Sequence, residues 1–172
     1  MVARFVEEAR AVAATVECVE RSAQAIADAV KRAAPAAKRI VVASAHDIDD
    51  QLFTSCRQLS GVFAERTRHA LATADVGVTD AFAAVATTGT VCVRVDAGIT
   101  GYASLLSRTH VVVVDAQRIV ERPSDLFRHD CLNGEGLRAN FVYITGPSAT
   151  ADMGPLVRGV HGPHYLHIVV IV

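Results

Sequence analysis

Two stretches of four or more consecutive residues in this chain are valine and isoleucine throughout: Val111 to Val114, four valines in a row, and Ile168 to Val172. Each has strand length. A strand with one face in water alternates apolar and polar residues, so an unbroken run marks a strand covered on both faces, as in parallel sheets flanked by helices. Arg39 to Ala43 (RIVVA) and Phe141 to Thr145 read as further strands, and Val76 to Val78 and Val91 to Val95 as shorter ones. Helical patterns lie between them, which gives an α/β architecture.

Residues 2–34 read as one long helix. Phe5, Ala9, Val12, Val16, Val19, Ala23, Ile26 and Val30 recur at three- and four-residue steps, with Glu17–Arg21 and Asp28–Arg32 as supporting i,i+4 pairs, and Pro35 stops the pattern. A straight helix of that length spans about 50 Å, wider than a small domain. Residues 1–35 are therefore expected to form a helical arm, with self-association or docking through residues 2–30, on a body of residues 36–172. Asp47 reads as the N-cap of a helix with the stripe Ile48, Leu52, Cys56 and Leu59, which Gly61 ends. Thr79 reads as the cap of a short helix over Asp80–Ala86. Further short helices are expected around Ser104–Leu106 and from Ser124 to Arg128, and a loop from His129 to Gly136.

Composition narrows the function. Hydrophobic residues are 51% of the 172, enough for a real core. Seventeen basic residues stand against eighteen acidic ones, a net charge of −1, without the basic excess that a nucleic-acid clamp needs. Only Lys31 and Lys38 are lysines, which disfavours Schiff-base chemistry. No apolar run approaches the length of a membrane span, and Glu7 and Glu8 sit where an export signal would need apolar residues, so the expected location is cytoplasmic. Cys18, Cys56, Cys92 and Cys131 are at least 36 residues apart. Without a local C-x-x-C pair, the chain is expected to bind no iron–sulfur cluster or structural zinc of its own.

Ligands in open α/β sheets sit beyond the carboxyl ends of the strands. The segment Ile144-Thr-Gly-Pro-Ser-Ala-Thr-Ala-Asp152 runs from a strand into a Gly-Pro turn. Gly146 permits close backbone approach, and Ser148, Thr150 and free amides could hold a phosphate or carboxylate. Thr88-Gly89-Thr90 is a second small, hydroxyl-rich turn. His161, His164 and His167 resemble a metal cluster by count, but Gly162-Pro163 breaks helical spacing, and His164 and His167 would point to opposite faces of a strand. No metal is expected, and His161 at the turn is the candidate for ligand contact or acid–base work. Thr88, Gly89, Thr90, Gly146, Ser148, Thr150, Asp152 and His161 are expected to share one cleft. Asp80, Asp96, Asp115 and Asp152 are the carboxylates nearest that edge.

These motifs resemble a known family. Asp75-Val-Gly-Val-Thr-Asp-Ala-Phe-Ala-Ala-Val-Ala-Thr-Thr-Gly-Thr90 is similar to the A-D-x-G-[VI]-T-x-A-D-x-A-I-A-E-T-G-T segment of LUD-domain proteins. Ile144 to Asp152 resembles their I-T-G-P-S-x-T-A-D, and Gly159-Val-His-Gly-Pro-His-Tyr-Leu-His167 their G-V-H-G-P-x-x-L-H. Order and spacing match over about Ala74 to Val172, and the family is that of lactate-utilization protein C (LutC/YkgG). The resemblance implies a Rossmann-like fold of the sugar-phosphate isomerase and CoA-transferase type (NagB/RpiA/CoA transferase-like). It implies oxidation of L-lactate to pyruvate together with iron–sulfur oxidoreductase subunits, which would carry the clusters. Two family glutamates are replaced, by Thr87 and Gly154. The alternatives are a free-standing phosphate- or carboxylate-binding enzyme or binder, and a divergent inactive paralogue with a scaffold role.

Overall fold

A computed structural model describes residues 1–95, 98–127, 140–152 and 154–172. Asp96, Cys131 and the His129–Gly136 loop lie outside the described residues. The N-terminal segment departs from the single-helix reading. It forms α1 (Val2–Ala11), the strand β1 (Thr15–Val19) and α2 (Ala23–Ala33). Ala13 turns into the left-handed region at φ 68°, which ends the first helix. Thr15, Val16 and Val19 are β-branched, and β1 finds a partner strand with Val16 set against Ile168 and Val19 against Ile171. Strand pairing there outweighs the helical period. Ser22 then caps α2 by accepting from the Ala25 amide at 3.1 Å. The expected i,i+4 ion pairs rewire: Glu17 meets Arg32 and Arg21 meets Asp115 across elements, while Asp28 meets Lys31 within α2.

After β2 (Ile40–Val42) come a 3-10 turn at Asp50–Phe53, the short helix α3 (Thr54–Arg57) and α4 (Arg68–Ala72). Asp49, not Asp47, caps this region by accepting from the Gln51 amide. β3 (Val76–Asp80) leads into β4 (Ala83–Val85), where a helix was expected from Asp80 to Ala86. Thr79 caps nothing; it is a buried strand residue. The Ala81 amide donates to the Val113 carbonyl at 2.8 Å, and that interstrand bond carries an alanine-rich segment into sheet structure. β5 (Thr90–Val95), α5 (Thr100–Leu105), β6 (Thr109–Asp115), β7 (Ile119–Val120), β8 (Asn140–Thr145), β9 (Ala149–Thr150), β10 (Val157–Arg158) and β11 (Tyr165–Ile171) follow.

The main sheet has five parallel strands in the order β1-β11-β6-β3-β2. A second, four-stranded sheet runs β7-β4-β5-β8, and β9 and β10 form a small hairpin. Alternate residues of the polyvaline strand serve two cores, as a doubly covered sheet requires. Val112 and Val114 pack with Phe5, Ala9, Val91, Ile168 and Val170 on one face. Val111 and Val113 pack with Ile26, Val30, Phe53 and Val169 on the other. The apolar stripes of α1 and α2 are thus consumed inside the fold, and residues 1–35 are built into the sheet domain instead of projecting from it.

Candidate functional site

At the carboxyl ends of the parallel strands the loops are tied down by charge. Asp80, at the end of β3, accepts from the amides of His46, Asp47 and Ile48 at 2.8, 2.6 and 3.2 Å. Asp47 in turn holds Arg94 at 2.6 Å, with Arg118 at 3.7 Å. Burial raises the Asp47 carboxyl above its ordinary range, and the two arginines offset only part of that. Asp115, at the end of β6, pairs with Arg21. These groups latch one element to another and leave little unpaired charge for a ligand.

The cavity lies at the opposite edge. It has a volume of about 840 Å³ and is floored by His110 and Leu166, the second residues of β6 and β11. The α5 helix, the end of β8 with its Gly146-Pro147 turn, and the His161-Gly162-Pro163 turn form its walls. Sequence dictates how α5 sits there. A Cβ on Gly77 of β3 would lie 1.9 Å from the Ala103 carbonyl oxygen, so only glycine lets the helix approach the sheet. That contact sets Tyr102, Ser104 and Leu105 in the cavity wall. The cavity therefore lies at the amino edge of the sheet, whereas a ligand was expected at the carboxyl edge.

The sequence candidates divide by position. Gly146, Ser148 and His161 line the cavity directly. Thr88 and Thr90 stand one layer behind it: their hydroxyls are 2.7 Å apart, and Thr90 reaches the hydroxyl of Thr145, a lining residue, at 2.7 Å. Thr150 and Asp152 belong to the β9 hairpin region and do not line the cavity. Gly89 and Gly146 have positive φ, 63° and 74°, and each faces the N-terminal segment. A Cβ would come 2.3 Å from the Ala9 nitrogen at Gly89 and 2.2 Å from the Val12 carbonyl oxygen at Gly146. The close backbone approach expected for a ligand at Gly146 is thus taken by the end of α1. The histidine triplet disperses. His161 stays in the cavity, His164 packs against Gly159, and His167 bonds Thr15 at 2.7 Å and Glu17 at 3.1 Å. Burial lowers the His167 pKa, with Glu17 opposing it.

Among the lining residues that escaped the sequence reading, Arg68 and His110 carry the chemistry. Arg68, exposed on α4, is the one formally charged side chain other than histidine among the described lining residues. His110 is fully buried, and its Nε2 lies 2.9 Å from the Thr79 hydroxyl. Its Nδ1 has no hydrogen-bond partner. With no charge beside it, burial pushes its pKa down to about 3, so the ring is neutral at physiological pH. A histidine directly before four buried valines was the signal that could have found it.

The model of the LUD domain matches residues 2–171. The chain belongs to the LUD-domain family. Curated relatives of this LUD chain include lactate utilization protein C of Bacillus subtilis (strain 168), 39% identical over 94 residues, 52% of this chain and 39% of that protein. The protein of the same name from Shouchella clausii (strain KSM-K16) is 38% identical over 93 residues, 52% of this chain and 41% of that protein. The LUD chain thus spans about two fifths of the length of the curated relatives it matches. A crystal structure of a DUF162-family protein from Deinococcus radiodurans superposes with a TM-score of 0.70 at 21% identity, covering 99% of this chain and 96% of that one. That likeness supports the mixed α/β fold. Among the described residues, no helix is long and apolar enough to cross a membrane.

Proposed function

We propose that this LUD chain is the lactate-utilization-C-type component of a cytoplasmic system that oxidises L-lactate to pyruvate, beside subunits that carry the iron–sulfur clusters. Within it, the cavity at the amino edge holds a small organic anion. The carrying observation is the cavity's charge: Arg68 is its formal cation, and no carboxylate lines it among the described residues. A carboxylate there finds donors among the lining groups, which include the Arg68 guanidinium and the Ser148 and His161 side chains, and charge-assisted hydrogen bonds contribute about 1.5–3 kcal/mol each. The relatives named lactate utilization protein C support the metabolic setting. In this reading the chain's own residues bind and orient the anion, while electron transfer belongs to the partners.

The test is recovery of the tagged chain from its source cells grown on L-lactate. The expected result is co-purification of iron-containing subunits with lactate-dependent reduction of a dye. A chain recovered alone, with growth on L-lactate unaffected by deletion of its gene, contradicts the proposal. A second reading, a free-standing carboxylate or phosphate binder, is favoured by the two replaced family glutamates. Thr87 and Gly154 both lie outside the cavity lining, and a side chain at Gly154 would meet nothing within 4 Å. Under that reading the isolated chain binds its ligand with no partner present.

A further inference from the structure

The size of the cavity and the state of its floor say more about the ligand than its charge does. At about 840 Å³ the space is in the range that encloses drug- or cofactor-sized molecules, and a three-carbon acid would fill a small part of it. Leu105, Leu106, Val142 and Pro163 make the wall predominantly apolar, above the Leu166 side chain of the floor. Leu105 is 54% and Val142 44% exposed, although both face into this concavity. The floor carries one unsatisfied group, His110 Nδ1. Buried polar atoms are almost always paired, and leaving one unpaired costs about 1–3 kcal/mol.

Among the described residues, the Thr79 hydroxyl has His110 Nε2 as its hydrogen-bond partner and no other acceptor for its proton. Of the two arrangements this contact allows, the one in which the hydroxyl donates to Nε2 satisfies that proton and places the imidazole proton on Nδ1. His110 is then a neutral donor without an acceptor, at the floor of an apolar cavity with a guanidinium among its lining groups.

We propose that this cavity takes an organic acid with an apolar body larger than three carbons, and that His110 Nδ1–H recognises an oxygen acceptor on it. The inference rests on the reading of the cavity as an anion site and narrows its ligand class. L-Lactate and pyruvate bring no extended apolar body to that wall, so they bind weakly or at a site shared with a partner subunit.

The test uses the full chain with octanoate as the probe, beside L-lactate and octylamine, by titration calorimetry and by histidine side-chain nitrogen NMR. Octanoate is expected to bind at least tenfold more tightly than either comparison compound and to shift the His110 Nδ1 resonance, which reports a protonated Nδ1 before ligand is added. His110→Phe should weaken octanoate binding at least tenfold. Leu105→Asp, at an exposed lining position that the fold does not depend on, should do the same. Equal binding of octanoate and octylamine overturns the proposal, as does tighter binding of L-lactate, unchanged affinity in both variants, or an unprotonated Nδ1. Tighter binding of L-lactate would remove this inference and leave the lactate-system reading intact. Failure to co-purify iron-containing subunits would remove that reading and leave this one.

Discussion

His110 couples the site to stability. Its pKa of about 3 in the fold compares with about 6.5 in an unfolded chain. Between those values the unfolded state binds a proton that the folded state refuses. Stability is therefore complete above about pH 6.5 and is lost as pH falls toward 3, by about 2 kcal/mol at pH 5. His167, also lowered by burial, adds a contribution of the same sign. Urea unfolding at pH 7 and pH 5 should show this loss, and His110→Phe should remove most of it; an undiminished pH dependence in the variant contradicts the buried, neutral ring. Gly146 belongs to the same scale. The sequence shows that a turn glycine follows a strand there, but not what approaches it, because the Val12 carbonyl comes from the far end of the chain. Gly146→Ala is expected to cost about 1–3 kcal/mol from the left-handed φ, with the steric conflict adding to it. An unchanged urea midpoint would show that α1 does not close on this turn.

Between elements, the positions that build the cavity are contacts of helix on sheet. Gly77→Ala should push α5 off β3, because its Cβ would overlap the Ala103 carbonyl. Overpacking of this kind costs about 1–3 kcal/mol, and the displaced helix should weaken ligand binding with it; retained affinity at wild-type stability contradicts the role given to that contact. The N-terminal segment makes a sharper case. Deleting residues 1–30 removes β1 from the edge of the main sheet and strips Phe5, Ala9, Ile26 and Ala27 from its two cores. The truncated chain is expected to lose its cooperative thermal transition, and an ordered, cooperatively melting fragment would contradict the placement of β1. The same segment shows where the sequence stops being legible. The stripe from Phe5 to Val30 is genuinely apolar, but its period continues across Ala13 and Ala14 into Thr15-Val16, where two helices and a strand each bury part of it. Periodicity reports which residues are buried; whether a helix or a neighbouring strand buries them is decided by β11, some 150 residues away. Polyvaline β6 and β11 were legible because an unbroken run of valine and isoleucine has the stiff, β-branched side chains of a doubly covered strand, whereas the alanine-rich run Ala81–Ala86 largely lacks them.

At the scale of the molecule, two sheets share one core, and the space between their ends becomes the cavity. Motif order located Gly146, Ser148 and His161 beside it, since each turn follows or precedes a recognisable strand. The edge of the sheet was not legible. The carboxyl-edge rule describes open sheets whose loops are free, and here Asp80, Asp47 and Asp115 spend that edge on amides and arginines. Arg68 was invisible for a similar reason: it is an ordinary surface arginine in sequence, and only the packing of α4 beside α5 brings it to the cavity. The self-association expected of residues 2–30 loses its basis once their apolar faces are buried within the protomer.

The most direct test of the account is an amide NMR titration of the full chain with octanoate, asking which edge of the sheet responds. Shifts are expected to concentrate on Gly101, Tyr143, Gly146, Ser148 and Gly162, with His46, Asp47, Asp80 and Gln117 unmoved. Shifts gathered instead around Asp47, Asp80 and Asp115, or no saturable shifts at the amino edge, would contradict it.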